Sequence, residues 1–348
     1  MKYARRIARI GKMIETQKMM VLGKNRSEMK KRNNEGGSPL RMLRARHFEQ
    51  AEQTILTYGR PLEIAWFNHY FHEQSQEHVV LELSKYQNDD GGFGHGLESD
   101  FRAPISSPMA TSVGLRHLNE LSGIDATKPM IEAAIHYLEN TYDASRNGWF
   151  AVSKDSNDFP HAFWWHYDET ENMTMIDRNW GNPSAEIIAY LYKYREYTTH
   201  LDAERLVEDA IQYMNRKPIF NSENEIYCFI RLFDVVPEAW RTRLESGLIN
   251  AVGQVIDYEE ERWHEYVPTP LSFMCAKTNN RFGIHERKLD AHLHFVMDEL
   301  ERHGKILPPW GKTYYETDLK QAYPEWIGVL TLKALLSLRR FDRLEPKR

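Results

Sequence analysis

Tyr86-Gln87-Asn88-Asp89-Asp90-Gly91-Gly92-Phe93-Gly94 closes an amphipathic helix with a glycine turn and returns an aromatic ring towards it. Upstream, Val79, Val80, Leu83 and Tyr86 share one face at helical spacing, which predicts a helix over residues 76–87. Asn and Asp hydrogen-bond locally and glycine takes left-handed dihedrals without steric cost, so 88–92 reads as a compact turn. Downstream, Ser106-Ser107-Pro108 offers an N-cap serine and a first-turn proline. Met109, Ala110, Val113, Leu118 and Leu121 then carry a second helix, giving a unit of helix, polar loop and helix.

The unit recurs. Met130, Ile131, Ala134, Ile135 and Leu138 predict a helix, a long loop follows over 141–182, and Pro183 opens the next helix. That loop contains Asn147-Gly148-Trp149-Phe150, a second turn followed by an aromatic ring. A third unit joins Leu206 and Ile211 to a helix over 226–233, and a fourth joins Leu248 and Val252 to an apolar stretch over 271–276. A fifth joins Leu293 and Leu300 to a helix over 326–338; ahead of them all lie helices over 43–58 and 61–74, broken at Gly59-Arg60-Pro61. The spacing is irregular but the unit is constant, as in a helical repeat with loop insertions. No stretch sustains the alternation of a strand, so the fold class is all-α.

The chain has 348 residues, 41% of them hydrophobic, enough for one large core or two ordinary ones. No apolar run reaches the ~20 residues of a membrane span and no leader pattern is apparent, so a soluble, cytoplasmic protein is expected. Cys228 and Cys275 stand far apart without partners nearby, which predicts two buried thiols rather than a disulfide or metal site. Residues 1–40 hold 11 of the 45 Lys+Arg and 3 of the 50 Asp+Glu, so the body over 41–348 carries 34 bases against 47 acids. The first 40 residues read as a disordered basic tail able to touch an anionic surface, or as sequence ahead of a domain that starts near Met42. The acidic body argues against nucleic-acid binding.

The Gln87–Gly94 element and the helix pairs around it resemble the terpenoid cyclase and protein prenyltransferase superfamily, with the bacterial prenyltransferase-like proteins as the nearest group. The resemblance implies an α/α toroid, a barrel of alternating outer and inner helices, and an isoprenoid-type ligand in a central cavity. The family's acid and metal motifs are not matched. No Asp-x-Asp-Asp segment occurs, the position three after Asp90 is Phe93, and no Asp-x-Cys accompanies Cys275. No cofactor and no metal ligand set is therefore assigned.

If the second helices of the units run parallel, the loops before them converge at one rim. Those loops supply the candidate residues. Glu98 and Asp100, with His95 as partner, are the candidates for acid–base catalysis, in which one carboxyl is kept protonated by apolar neighbours. Arg102, His161, Trp164, Trp165, His166, Trp263, His264, Tyr266 and Trp310 are the candidates for binding a small-molecule ligand. Beside the isoprenoid reading stand a carbohydrate-active α/α-barrel hydrolase or lyase and a non-catalytic scaffold. The cavity wall separates them: apolar with a basic mouth for an isoprenoid, polar with two carboxylates for a sugar, filled by side chains for a scaffold.

Overall fold

A computed structural model of the chain describes residues 40–121, 123–315 and 318–346. The expected basic tail, apart from Leu40, lies outside these residues. The chain divides into two compact units, 1–42 and 43–348, and every element named below belongs to the second. Its helices are α1 Ala45–Tyr58, α2 Pro61–Phe71, α3 Gln76–Ser84, α4 Pro108–Glu120, α5 Thr127–Asn140, α6 Gly181–Lys193, α7 Ala203–Arg216, α8 Glu223–Val235, α9 Glu238–Val255, α10 Glu286–His303 and α11 Ala322–Arg340. Among the described residues the named strands are the two-residue pair Tyr167–Asp168 and Met173–Thr174, so the protein is all-α.

Several helices start where a side chain satisfies a free amide. Ser107 caps α4 by accepting from Ala110 N at 3.1 Å, Asp202 caps α7 from Arg205 N at 3.0 Å, and Ser222 caps α8 from Glu225 N at 3.3 Å. α6 packs between α4 and α8, α5 and α7 cover neighbouring helices, and α11 packs along α1. Leu43 N donates to Arg343 O and Glu345 N to Leu43 O, so the two ends of this unit lie side by side.

The glycine turn has the expected form. Asn88 N donates to Gly92 O, Gly91 N to Asn88 O, and the Asp90 carboxylate accepts from Gly92 N and Ser106 Oγ. Gly91 has φ +88°, and a Cβ there would stand 2.3 Å from Ala133 O, so only glycine fits. Phe93 is fully buried and its N–H donates to Thr111 Oγ1 at 3.0 Å. Trp149, in the second repeat, is buried likewise and its N–H donates to Ser184 Oγ at 3.0 Å. In both repeats a ring-bearing turn is anchored on a hydroxyl of the following helix.

One expected helix is replaced. Residues 271–276 contribute only the short 3-10 segment Pro270–Phe273. Asp234 accepts from the amides of Ala276, Lys277 and Thr278, which turns the chain where a helix would have continued. Both cysteines are buried and free, and burial pushes each thiol up to about 12. No helix of the described residues is long and apolar enough to cross a membrane.

Candidate functional site

The loop between α3 and α4 carries Glu98 and Asp100 and is held from two sides. Arg60, at the start of α2, forks onto Glu63 and donates through its Nη1 to the carbonyls of Gly96 and Leu97 at 2.8 and 2.9 Å. On the other side, Arg102 N donates to Pro160 O and Ala162 N to Asp100 O, so segment 100–102 pairs with segment 160–162 of the next long loop. That pairing delivers Trp165 to Asp100. Arg102 itself pairs with Glu325 of α11 at 2.8 Å.

Asp100 is 3% exposed and sits among aromatic donors. Trp165 Nε1 donates to Oδ1 at 2.9 Å; Trp326 Nε1 and the Tyr315 hydroxyl donate to Oδ2 at 3.3 and 3.4 Å. Burial pushes its carboxyl up to about 7, helped by the charge on Glu98, while the three donors pull the other way. Glu98 is half-buried, and its carboxylate has no hydrogen-bond or ion-pair partner among the described residues. Burial raises it as well, against the cations Arg116, Lys333 and Arg60. Two neighbouring carboxyls that both resist ionisation titrate as a pair and keep a proton towards neutral pH.

Beyond this pair a second polar cluster is built from the middles of helices. Glu186 of α6 is 1% exposed and takes Arg116 of α4 in a two-pronged contact, Nε to Oε1 and Nη2 to Oε2, both at 2.9 Å. Arg231 Nε of α8 lies 3.1 Å from the same Oε1, and the Tyr190 hydroxyl donates to it at 3.0 Å. Arg116 and Arg231 hold Glu186 below the ordinary carboxylate range although burial works against them. From α2 and α4, Trp66 Nε1 donates to His117 Nδ1 at 2.9 Å, and burial lowers His117 to about 3, so its ring is neutral.

Lys333 of α11 adds a further cation to this region. Its side chain is exposed, yet desolvation and the neighbouring Arg116 push its ammonium down to about 8. Tyr266 behaves alike, 57% exposed with its hydroxyl pushed by desolvation up to about 12 and with Asp100 among the charges it senses. The surroundings of the two carboxyls are therefore charged on the side of Arg60, Arg116 and Lys333 and aromatic around Asp100.

The loops bring together part of the expected set. Trp165 and Asp100 are in contact; Trp310 stands edge-on to Trp326 at 5.3 Å and to Tyr266 at 5.8 Å, and its Nε1 donates to Tyr315. The others lie apart. His95, expected beside the carboxylates, is exposed and its Nε2 bonds Asn88 Oδ1 at 2.7 Å, within the turn. His161 and His166 stack on each other at 5.5 Å, and Trp164 packs edge-on to Phe163 and Tyr314. Trp263 is buried, donating to Asp257 O and packing against His292, while His264 is exposed. A surface cleft of about 630 Å³ beside Asn147, Arg178, Asp209, Tyr213, Arg216 and Lys217 shares none of the site's residues. Among the described residues no group of three His, Cys, Asp or Glu is placed to hold a metal ion.

Glu63, Arg116, Glu186, Arg231 and Lys333 were not among the sequence candidates. The signal for them exists: each is a single charge inside an apolar helical run, as in Phe229-Ile230-Arg231-Leu232-Phe233 and Leu330-Thr331-Leu332-Lys333-Ala334-Leu335. A charge at such a position needs a partner or a water-filled hollow. Comparisons of the chain with protein-family models, with curated proteins and with solved structures give no match.

Proposed function

We propose that the protein is an α/α toroid enzyme that hydrolyses a glycan by general acid–base chemistry, with Glu98 meeting the substrate and Asp100 positioned behind it. The observation that carries this reading is the neighbouring pair of carboxyls, both raised in pKa, with three aromatic donors around Asp100. The toroid is supported by the packing of α11 along α1, which brings the last helix back to the first. Glu98 is accessible and unpaired, as a group that exchanges a proton with substrate must be. It donates its proton to the glycosidic oxygen as the C–O bond breaks; water adds to the sugar carbon, and the water's second proton returns to the pair. Trp310 and Tyr266 supply faces on which sugar rings stack, and nearby charged side chains offer partners for hydroxyl groups.

The isoprenoid reading keeps one supporting observation, the rings of Trp165, Trp326 and Tyr315 around an acid that stays protonated, a setting suited to a developing carbocation. Against it stand the charges of Arg116, Glu186, Arg231 and Lys333, which an apolar chain would have to desolvate. The test is a paired panel with the full chain: release of new reducing ends from polysaccharides and oligosaccharides, and conversion of polyprenyl diphosphates. Glycan cleavage that falls at least about a hundredfold in Glu98→Gln supports the proposal, the ordinary size of a general-acid contribution. Turnover of polyprenyl diphosphates alone moves the assignment to the isoprenoid reading.

A further inference from the structure

The two loops that bring Trp165 and Tyr315 to the Asp100 carboxylate also meet through the residues beside them. Trp164 and Tyr314 stand edge-to-face with ring centres 5.7 Å apart, and Phe163 completes the group, 5.0 Å from Trp164 and 5.2 Å from Tyr314. Phe163 is 53% and Tyr314 47% exposed, and Trp164 is half-buried. Three large rings gathered at the surface hold apolar area in water until something covers it. The turn that carries two of them is stiff. Phe163–Trp165 is a 3-10 segment in which Trp165 N donates to Ala162 O at 2.9 Å and His166 N to Phe163 O at 3.2 Å, while Ala162 N donates to Asp100 O at 2.8 Å. The rings are thus set in place before any ligand arrives. Trp164 differs from every other tryptophan of the chain. Of the nine, eight donate the indole N–H to a protein acceptor, whereas that of Trp164 has no acceptor among the described residues.

We infer that Phe163, Trp164 and Tyr314 form an outer subsite that stacks one ring of a neutral sugar chain whose scissile bond lies at Glu98 and Asp100. The inference rests on the glycan reading above and deepens it: the substrate is a chain long enough to reach from the carboxyls to this platform. A sugar suits an open, half-wet platform, because it lays a C–H face on an aromatic ring while its hydroxyls stay in water or accept from the Trp164 N–H. A hydrocarbon chain gains most where it is enclosed and has nothing to offer that N–H. None of the three side chains is charged, which fits a neutral ring. Rings with equatorial hydroxyls, as in β-1,4-linked glucose, fit best, since both of their faces are C–H. In this arrangement Phe163, Trp164 and Tyr314 are binding residues, and Trp165 and Tyr315 tie the platform to the acid.

Calorimetric titration of the full chain with cellohexaose, cellobiose and geranylgeranyl diphosphate tests it, in the Glu98→Gln background so that the sugars are not cut during the measurement. Cellohexaose is expected to bind at least about tenfold more tightly than cellobiose. Trp164→Ala and Tyr314→Ala should each bring the affinity for cellohexaose down towards that for cellobiose and leave the latter unchanged, while Tyr314→Phe keeps the preference. Tyr314, half exposed, provides the independent variant should Trp164→Ala fail to fold. Equal affinity for the two lengths, or a preference that survives both alanine variants, overturns this inference and leaves the glycan reading standing. Binding of neither sugar also overturns it, alone if the polysaccharide panel finds cleavage of another glycan and together with the glycan reading if the panel finds none. Binding of geranylgeranyl diphosphate in their place, lost in Trp164→Ala, overturns it by making the platform a seat for an apolar chain.

Discussion

At the scale of single residues, Asp100 concentrates the chemistry. Its ordinary value of 3.8 is raised to about 7, so the folded protein prefers the protonated form. Such a group contributes stability in full below about pH 4 and loses that contribution as pH rises through about 7, a change on the order of 4 kcal/mol. The thermal midpoint of the wild-type protein should therefore fall between pH 5 and 8, and that of Asp100→Asn should fall less. Trp165→Phe removes the shortest of the three donors to the carboxylate, at 2.9 Å, and should move the upper limb of the activity profile to higher pH. Parallel stability curves for wild type and Asp100→Asn would show that Asp100 ionises normally. Residue types in the loops pointed to Asp100, Trp165 and Glu98, because carboxylates and tryptophans in a polar loop are few and conspicuous. They also placed His95 beside the two carboxylates as a partner, since proximity in sequence does not reveal that the ring turns back to Asn88. Arg102 illustrates the same limit: read from the sequence as a ligand-binding residue, it is paired in the fold with Glu325, 223 positions away.

At the scale of elements, the turn that decided the reading is also a joint. Gln87 Nε2 donates at 2.9 Å both to Gly91 O in its own turn and to Met130 O in α5, so one side chain ties a repeat to the helix of the next. Gln87→Ala leaves two half-buried carbonyls without a donor and should cost about 1–3 kcal/mol, read as a lower urea midpoint with an unchanged slope. An unchanged midpoint would mean that water replaces the amide without loss. The existence of the helix pairs was legible because each helix buries a regular stripe, such as Leu206, Val207, Ala210, Ile211 and Met214 on α7. The missing helix near 271 was not, because it depends on Asp234, a residue of α8, capturing amides more than 40 positions downstream. Arg116, Glu186 and Arg231 were each visible as a lone charge in an apolar run, but their meeting was not, because they come from three separate helices and converge only when those helices pack.

At the scale of the whole unit, the site needs the last helix in place. α11 brings Glu325 and Trp326, which join Arg102 and Asp100 respectively, and Lys333, which senses the charges of Arg116 and Glu98. Its seat on the rest of the protein is a backbone contact: a Cβ at Gly328 would stand 2.5 Å from Gly59 Cα and 2.6 Å from Gly59 N, at the junction of α1 and α2. Backbone cannot yield as a flexible side chain can, so Gly328→Ala must move α11 away from α1. A cost of about 1–3 kcal/mol is expected, a few degrees in the thermal midpoint for a unit of this size. If α11 is integral to one cooperative unit, calorimetry of the variant gives a single transition at lower temperature, and the site's binding weakens with it because Trp326 and Glu325 shift from Asp100 and Arg102. A separate early transition, or a lower midpoint with the site's binding untouched, would instead make α11 an independent cover on a site completed without it.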